Sequence, residues 1–190
     1  PLRKQIIMQV ESTVYAGLYV IAPKVFGDER GYFFESYNDS VFKNKHGMDF
    51  TWVQDNQSHS CYGVIRGLHM QKAPHAQTKL IRVLQGEILD VVVDMRKSSK
   101  TFGKVFSIHL SSENKKQLFI PKGFVHGFSV LSETAEVLYK IDDFYHKESE
   151  VGVMYNDATL NIDWKVPVEK QLVSEKDLVL PSFVNATYYE

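Results

Sequence analysis

From Lys79 onward apolar and polar positions alternate with a period of two, and strand follows strand. In Ile88–Met95, Leu89, Val91, Val93 and Met95 alternate with Ile88, Asp90, Val92 and Asp94. That spacing sends successive side chains to opposite faces of a sheet. Lys79–Leu84 precedes this run across a turn at Gln85-Gly86. Val105–Leu110, Gln117–Ile120, Val125–Leu131 and Val137–Ile141 continue the pattern, with Pro121-Lys122-Gly123 as a turn. Strands recurring every ~8–12 residues predict an all-β sandwich or barrel.

The first third is more mixed. Val14–Ile21 and Tyr32–Tyr37 read as strands on either side of a charged, glycine-bearing turn, Phe26–Gly31. Asn38 or Asp39 is placed to cap a short helix over Val41–His46, which Gly47 ends. Phe50–Gln54 reads as extended and runs into the polar segment Asp55–Ser60. The tail, Asp157–Glu190, is less regular, with short helices expected around Val168–Leu172 and Ser174–Leu178. Without repeats, low-complexity tracts or linkers, residues 1–190 read as one domain, residues 1–7 being an arm or an expression remnant.

Composition narrows the function classes. A formal net charge of −1 gives no global pull toward nucleic acid or a membrane surface. Twelve Phe and ten Tyr suit a β-rich fold. The one cysteine, Cys61, allows no intrachain disulfide, which fits a reducing cytoplasm. No apolar run approaches the ~20 residues of a membrane-spanning helix. Val14–Ala22 follows Glu11 and is cut off by Pro23, so it reads as a strand and not as a signal segment.

The chemistry concentrates between Gly63 and Gly86. Gly63-Val-Ile-Arg66-Gly-Leu-His69 has the layout of the first cupin motif, a glycine followed by a metal-binding histidine. A metal site needs a second histidine two residues on, on the same strand face. Gln71 stands there, and Lys79 lies where a ligand carboxylate is expected. An ammonium has no acceptor and repels a cation, so no metal is expected. A histidine beside cations suits proton transfer next to a developing negative charge. Imidazole titrates close to neutrality, near ~6.5 when unperturbed.

His126 sits in Ile120-Pro-Lys-Gly-Phe-Val-His126, similar to the second cupin motif. With His69 it makes two imidazoles, fewer than the three protein ligands usual for catalytic zinc; as a neutral donor it suits an oxyanion or phosphate. Lys79 is either a solvated strand-end lysine or an ammonium facing an enolate. Tyr139, taken alone, reads as core, although a phenol also serves as an acid toward a carbanion. Arg30 and Arg66 suit a diphosphate, which guanidinium groups grip bidentately. Gln54 and Asn56, two apart on an extended segment, suit a base edge. Strict alternation puts Arg66 and His69 on opposite faces, so both reach one site only if the strand bulges at Gly67.

Together these blocks resemble the dTDP-4-dehydrorhamnose 3,5-epimerase family from about Gly17 to Leu180. The resemblance rests on Phe26-Gly-Asp-Glu-Arg-Gly-Tyr-Phe-Phe-Glu35, Val53-Gln-Asp-Asn56, Arg66-Gly-Leu-His69, Lys79-Leu, Asp90–Arg96, Ile120–Phe128, Tyr139-Lys, Tyr155-Asn-Asp157 and Ser174-Glu-Lys-Asp177. It implies a cupin-type double-stranded β-helix, a jelly-roll barrel with a few short peripheral helices. It also implies His69 as general base, Asp177 as its orienting carboxylate, Tyr139 as the acid and Lys79 as the enolate-stabilising cation. Arg30, Glu35, Gln54, Asp55, Asn56, Arg66, His126, Glu150 and Lys176 match positions that bind nucleotide or sugar. The family's substrate is a dTDP-4-keto sugar, with no cofactor and no metal. A homodimer with exchanged strands is implied as well, in which Arg30 and Glu35 serve the partner's site. A mono-epimerase at C3 or C5, a 3,4-ketoisomerase, a metal cupin dioxygenase (against which Gln71 and Lys79 count) and a sugar-binding cupin without activity are the competing readings.

Overall fold

The computed structural model describes residues 8–190; the arm or remnant expected at residues 1–7 lies outside them. Its strands, in chain order, are β1 (Met8–Ser12), β2 (Tyr19–Pro23), β3 (Phe26–Asp28), β4 (Gly31–Phe33), β5 (Gln54–Cys61), β6 (Val64–Gln71) and β7 (Lys79–Gln85). They continue as β8 (Glu87–Asp94), β9 (Val105–Ser111), β10 (Gln117–Ile120), β11 (Phe124–Val130), β12 (Thr134–Ile141), β13 (Glu150–Gly152) and β14 (Leu172–Val173). Two short helices accompany them, α1 (Asp39–His46) and α2 (Glu175–Leu178). One sheet runs β1-β2-β10-β7-β12-β5; the other runs β13-β6-β11-β8-β9, with β14 paired to β6. The two sheets form a jelly-roll barrel.

Apolar alternation reaches both faces of the sheets because both are covered. On β8, Ile88 and Val92 enter the cluster between the sheets, with Ile81, Val83, Leu118 and Phe128. Leu89, Val91 and Val93 join a second cluster, which the C-terminal tail covers through Leu160, Trp164 and Phe183. A third cluster packs α1, through Val41 and Phe42, against Ile21, Leu80 and Phe119. The helix begins as its sequence predicts. Asn38 accepts from the Val41 amide, and Gly47 closes the other end with φ +65°, a cap worth ~0.5–2 kcal/mol.

Four sequence expectations change. The strand placed over Val14–Ile21 begins only at Tyr19, because Thr13 Oγ1 donates to the carbonyls of Tyr15 and Leu18 and closes a turn first. The Tyr32–Tyr37 strand shortens to Gly31–Phe33 and pairs only with β3, as an exposed hairpin. Asp55–Ser60, read only as a polar segment, is most of β5, an edge strand whose odd-numbered positions are exposed. One edge of a sheet tolerates polar side chains that a central strand does not. In the tail, Val168–Leu172 resolves into a 3₁₀ turn at Val168–Lys170 followed by β14.

Candidate active site

A bulge brings the first two candidate side chains together. On β6, Arg66 pairs with Phe128 and His69 with His126, so Gly67 and Leu68 face the single residue Gly127. Gly67 has φ +100°, a conformation L side chains rarely adopt, and a Cβ there would lie 2.7 Å from Gly127 Cα. Ile65, Leu68 and Met70 consequently point into the tail-side core, while Arg66 and His69 line one cavity of about 710 Å³. The bulge expected at Gly67 is present.

That cavity also receives Lys79 and Tyr139 from β7 and β12 of the facing sheet, and His126 from β11. Register places Tyr139 beside Ile81, and so on the same face as Lys79. Asp177 enters from the tail. Ser174 caps α2 by accepting from the Asp177 amide at 3.2 Å, and the helix aims Asp177 at β6. Its Oδ1 lies 2.7 Å from His69 Nε2, and its Oδ2 accepts from the Gly67 amide at 3.2 Å. A carboxylate only accepts, so Nε2 carries the imidazole proton and Nδ1 keeps its lone pair.

The charges are tuned to this arrangement. Burial pushes the Asp177 carboxyl up, but the His69 hydrogen bond and charge, the Gly67 amide and Ser174 outweigh it and hold Asp177 below its ordinary range. Burial lowers Lys79 to about 8 against the opposing charges of Asp90 and Glu150. Among the described residues Lys79 makes no ion pair. Burial raises the Tyr139 phenol above 10.0, Glu150 adds to the rise and Arg66 opposes it; the phenol therefore keeps its proton.

A smaller space of about 300 Å³ adjoins the first, sharing His69, Lys79 and Tyr139 and adding Gln54, Asn56, Tyr145 and Glu150. Gln54 donates to Asn56 at 2.8 Å. Glu150 is paired with Lys176. Burial raises Glu150, but Lys176, His69 and Tyr145 together bring it below the ordinary range. Arg66 is steadied by Ser60, to which its Nε donates at 3.0 Å.

Three candidates are not brought to the cavity in this chain. Asp55 pairs with Lys140 at 3.0 Å on an exposed face of β5. Arg30 is exposed and bound to Asp28 at 2.5 Å, on the β3–β4 hairpin. Glu35 accepts from Asn38 at 2.9 Å, ahead of α1. Conversely, sequence reasoning misses two residues placed at these spaces or against their lining. Asp90 is fully buried and 2.7 Å from His126 Nε2; its signal is a carboxylate amid the apolar run of β8. Tyr145, beside Glu150 in the smaller space, carries no local signal. Among the described residues, the only three-residue group close enough to hold a metal ion is His75, Asp143 and His146, none of which lines the larger cavity.

A family model for dTDP-4-dehydrorhamnose 3,5-epimerase matches residues 12–185. A protein of that name from Shigella flexneri is 50% identical over 182 residues, covering 96% of this chain and 99% of its own length. The crystal structure of one from Elizabethkingia anophelis is 51% identical, with a TM-score of 0.90, covering 94% of this chain and 98% of that one. A dTDP-6-deoxy-D-glucose-3,5-epimerase from Legionella pneumophila, solved in complex with dTDP-4-keto-L-rhamnose, is 45% identical. Its TM-score is 0.89, over 94% of each chain.

Proposed function

The chain belongs to the dTDP-4-dehydrorhamnose 3,5-epimerase family, and on that premise we propose that His69, Lys79, Tyr139 and Asp177 carry its epimerisation of a dTDP-4-keto sugar. The protein is a carbohydrate epimerase, converting dTDP-4-keto-6-deoxy-D-glucose into dTDP-4-keto-L-rhamnose. The C4 ketone acidifies the protons on C3 and C5. His69 Nδ1 removes one of them, and the C–H electron pair moves into an enolate whose negative charge rests on the C4 oxygen. The Lys79 ammonium neutralises that oxygen. Tyr139, on the facing sheet, returns a proton to the opposite face of the carbon and so inverts it. Once the His69 imidazolium has released its proton to solvent and the Tyr139 phenolate has regained one, repetition at the second carbon completes the reaction, and because no hydride moves no redox cofactor is required.

The observation that carries this reading is the 2.7 Å contact between His69 and Asp177. It selects the tautomer and steadies the imidazolium that forms. The dTDP portion supplies binding energy remote from the reacting carbons, with Arg66, Gln54, Asn56 and His126 as its polar contacts. The exposed β3–β4 hairpin, with Tyr32 62% and Phe33 68% exposed, supports a homodimer in which Arg30 and Glu35 reach the partner's cavity. Incubation with dTDP-4-keto-6-deoxy-D-glucose in deuterated water tests the chemistry. Deuterium should enter at both C3 and C5, and His69→Asn should stop it while dTDP still binds. Full exchange in that variant removes His69 from the role of base.

A further inference from the structure

Outside the larger cavity, a second set of ligand-type side chains meets where two loops cross. His75 follows β6 and its Pro74 turn, while Asp143 and His146 follow β12. The two imidazoles stack with centroids 3.4 Å apart and planes 15° from parallel. His75 Nδ1 lies 3.5 Å from Asp143 Oδ2, and ligand atoms from all three residues lie within 4.8 Å of one another. The catalytic machinery uses none of them.

We propose that His75, Asp143 and His146 form a site for a divalent transition ion of the zinc type. Two imidazoles beside a carboxylate suit such an ion; magnesium and calcium favour the carboxylate but not the imidazoles. Three protein ligands with water as the fourth complete a tetrahedron. Two ligands at about 2.0–2.1 Å in a tetrahedron sit about 3.3 Å apart, close to the His75–Asp143 separation. Stacked rings hold their lone pairs parallel, so His146 turns edge-on to complete the set; it is exposed and has room to do so.

The loops are already held in place for this. Gln71 donates to the carbonyls of His75 and Phe144, both at 3.2 Å, and accepts from the His146 amide at 2.7 Å. Gln77 donates to the Asp143 carbonyl at 2.9 Å. These bonds run to backbone atoms of the loops; of the three candidate side chains only Asp143 is engaged, its Oδ1 accepting from the Phe144 amide at 2.8 Å, and its Oδ2 still faces His75. A bound ion clips the outside of a junction that Gln71 staples from within. Tyr145, one residue before His146, reaches the smaller space of the active site, so the clip also steadies the rim of that site.

Calorimetric titration of the full chain with zinc chloride, beside magnesium chloride, tests this. One saturable zinc site is expected, unaffected by magnesium, with zinc raising Tm. His146→Gln and Asp143→Asn each lower zinc affinity at least tenfold and abolish the Tm rise; both keep the backbone groups that bind Gln71 and Gln77. The double variant His69→Asn/His126→Asn, which empties the catalytic cavity of imidazole, keeps the site. Absence of saturable zinc binding, wild-type affinity in His146→Gln, equal binding of magnesium, or loss of the site in the cavity double variant overturns the proposal.

Discussion

The molecule contains two histidine–aspartate pairs with the same 2.7 Å contact, and they are built differently. His126 and Asp90 stand on adjacent strands, β11 and β8, with side chains 9% and 0% exposed. His69 is 25% exposed, and its aspartate is delivered by α2 from a distant part of the chain. The second oxygen of Asp177 accepts from Gly67, whereas Asp90 Oδ2 has no partner among the described residues. Contact length therefore does not make a base. A histidine that must take a proton, become charged and exchange that proton needs access to the cavity and a fully satisfied carboxylate. His69 has both; His126 is more enclosed, and its Nε2–H is already committed to Asp90.

Substitution separates the two pairs. His69→Asn should lower turnover about 10³-fold or more, since general base catalysis is worth ~10²–10⁴ and the tautomer-holding partner is stranded with it. The measurement is turnover together with deuterium uptake at C3 and C5. His126→Asn should act mainly on KM, about tenfold, with deuterium uptake retained. An equal collapse of exchange in the two variants would erase the functional difference between the pairs.

Lys79→Met comes next, at ~10²–10³-fold in turnover, the usual effect of losing one oxyanion donor. Because burial holds Lys79 at about 8, its ammonium is present below that pH and lost above it. The wild type should accordingly lose kcat/KM as pH rises through about 8, and the Met variant should lack this alkaline limb. Stability moves the other way. A lysine whose folded pKa lies below its unfolded value gives the unfolded chain the greater proton affinity. Its penalty on folding is complete below about 8 and fades toward the ordinary lysine value, so Lys79→Met should raise Tm at pH 7.

Tyr139→Phe sharpens the division of labour across the cavity. Wash-in of deuterium should survive while inverted product falls about 10²-fold, because removal of the proton from one face does not require the phenol on the other. Product analysis by NMR checks it, and an unchanged epimer yield transfers the acid role elsewhere. The smallest effect is expected for Asp55→Asn. Its exposed pair with Lys140 contributes ~0–1 kcal/mol, and Tm should shift by no more than a few degrees with turnover nearly unchanged.

Much of the architecture is legible in the chain itself. Period-two alternation identifies the strands from Lys79 to Ile141, and Asn38 with Gly47 brackets α1, because these signals act over a few residues. The bulge at Gly67 is legible too, since Arg66 and His69 cannot share a strand face without one. Errors fall where local polarity misleads. Asp55–Ser60 reads only as a polar segment and is an edge strand, whose exposed positions accept polar side chains at no cost to the core.

What only the tertiary structure decided is which distant groups meet. Residue type and family resemblance nominate His69, Lys79, Tyr139 and Asp177; their convergence depends on two sheets closing over one cavity. Asp90 becomes the partner of His126 through strand pairing, while Arg30, Glu35 and Asp55 are carried away from the cavity of their own chain. Sequence periodicity fixes the face on which a side chain stands. It holds no information about what the opposite sheet or the returning tail places before that face, because such contacts join residues far apart in the chain and arise only when the barrel closes.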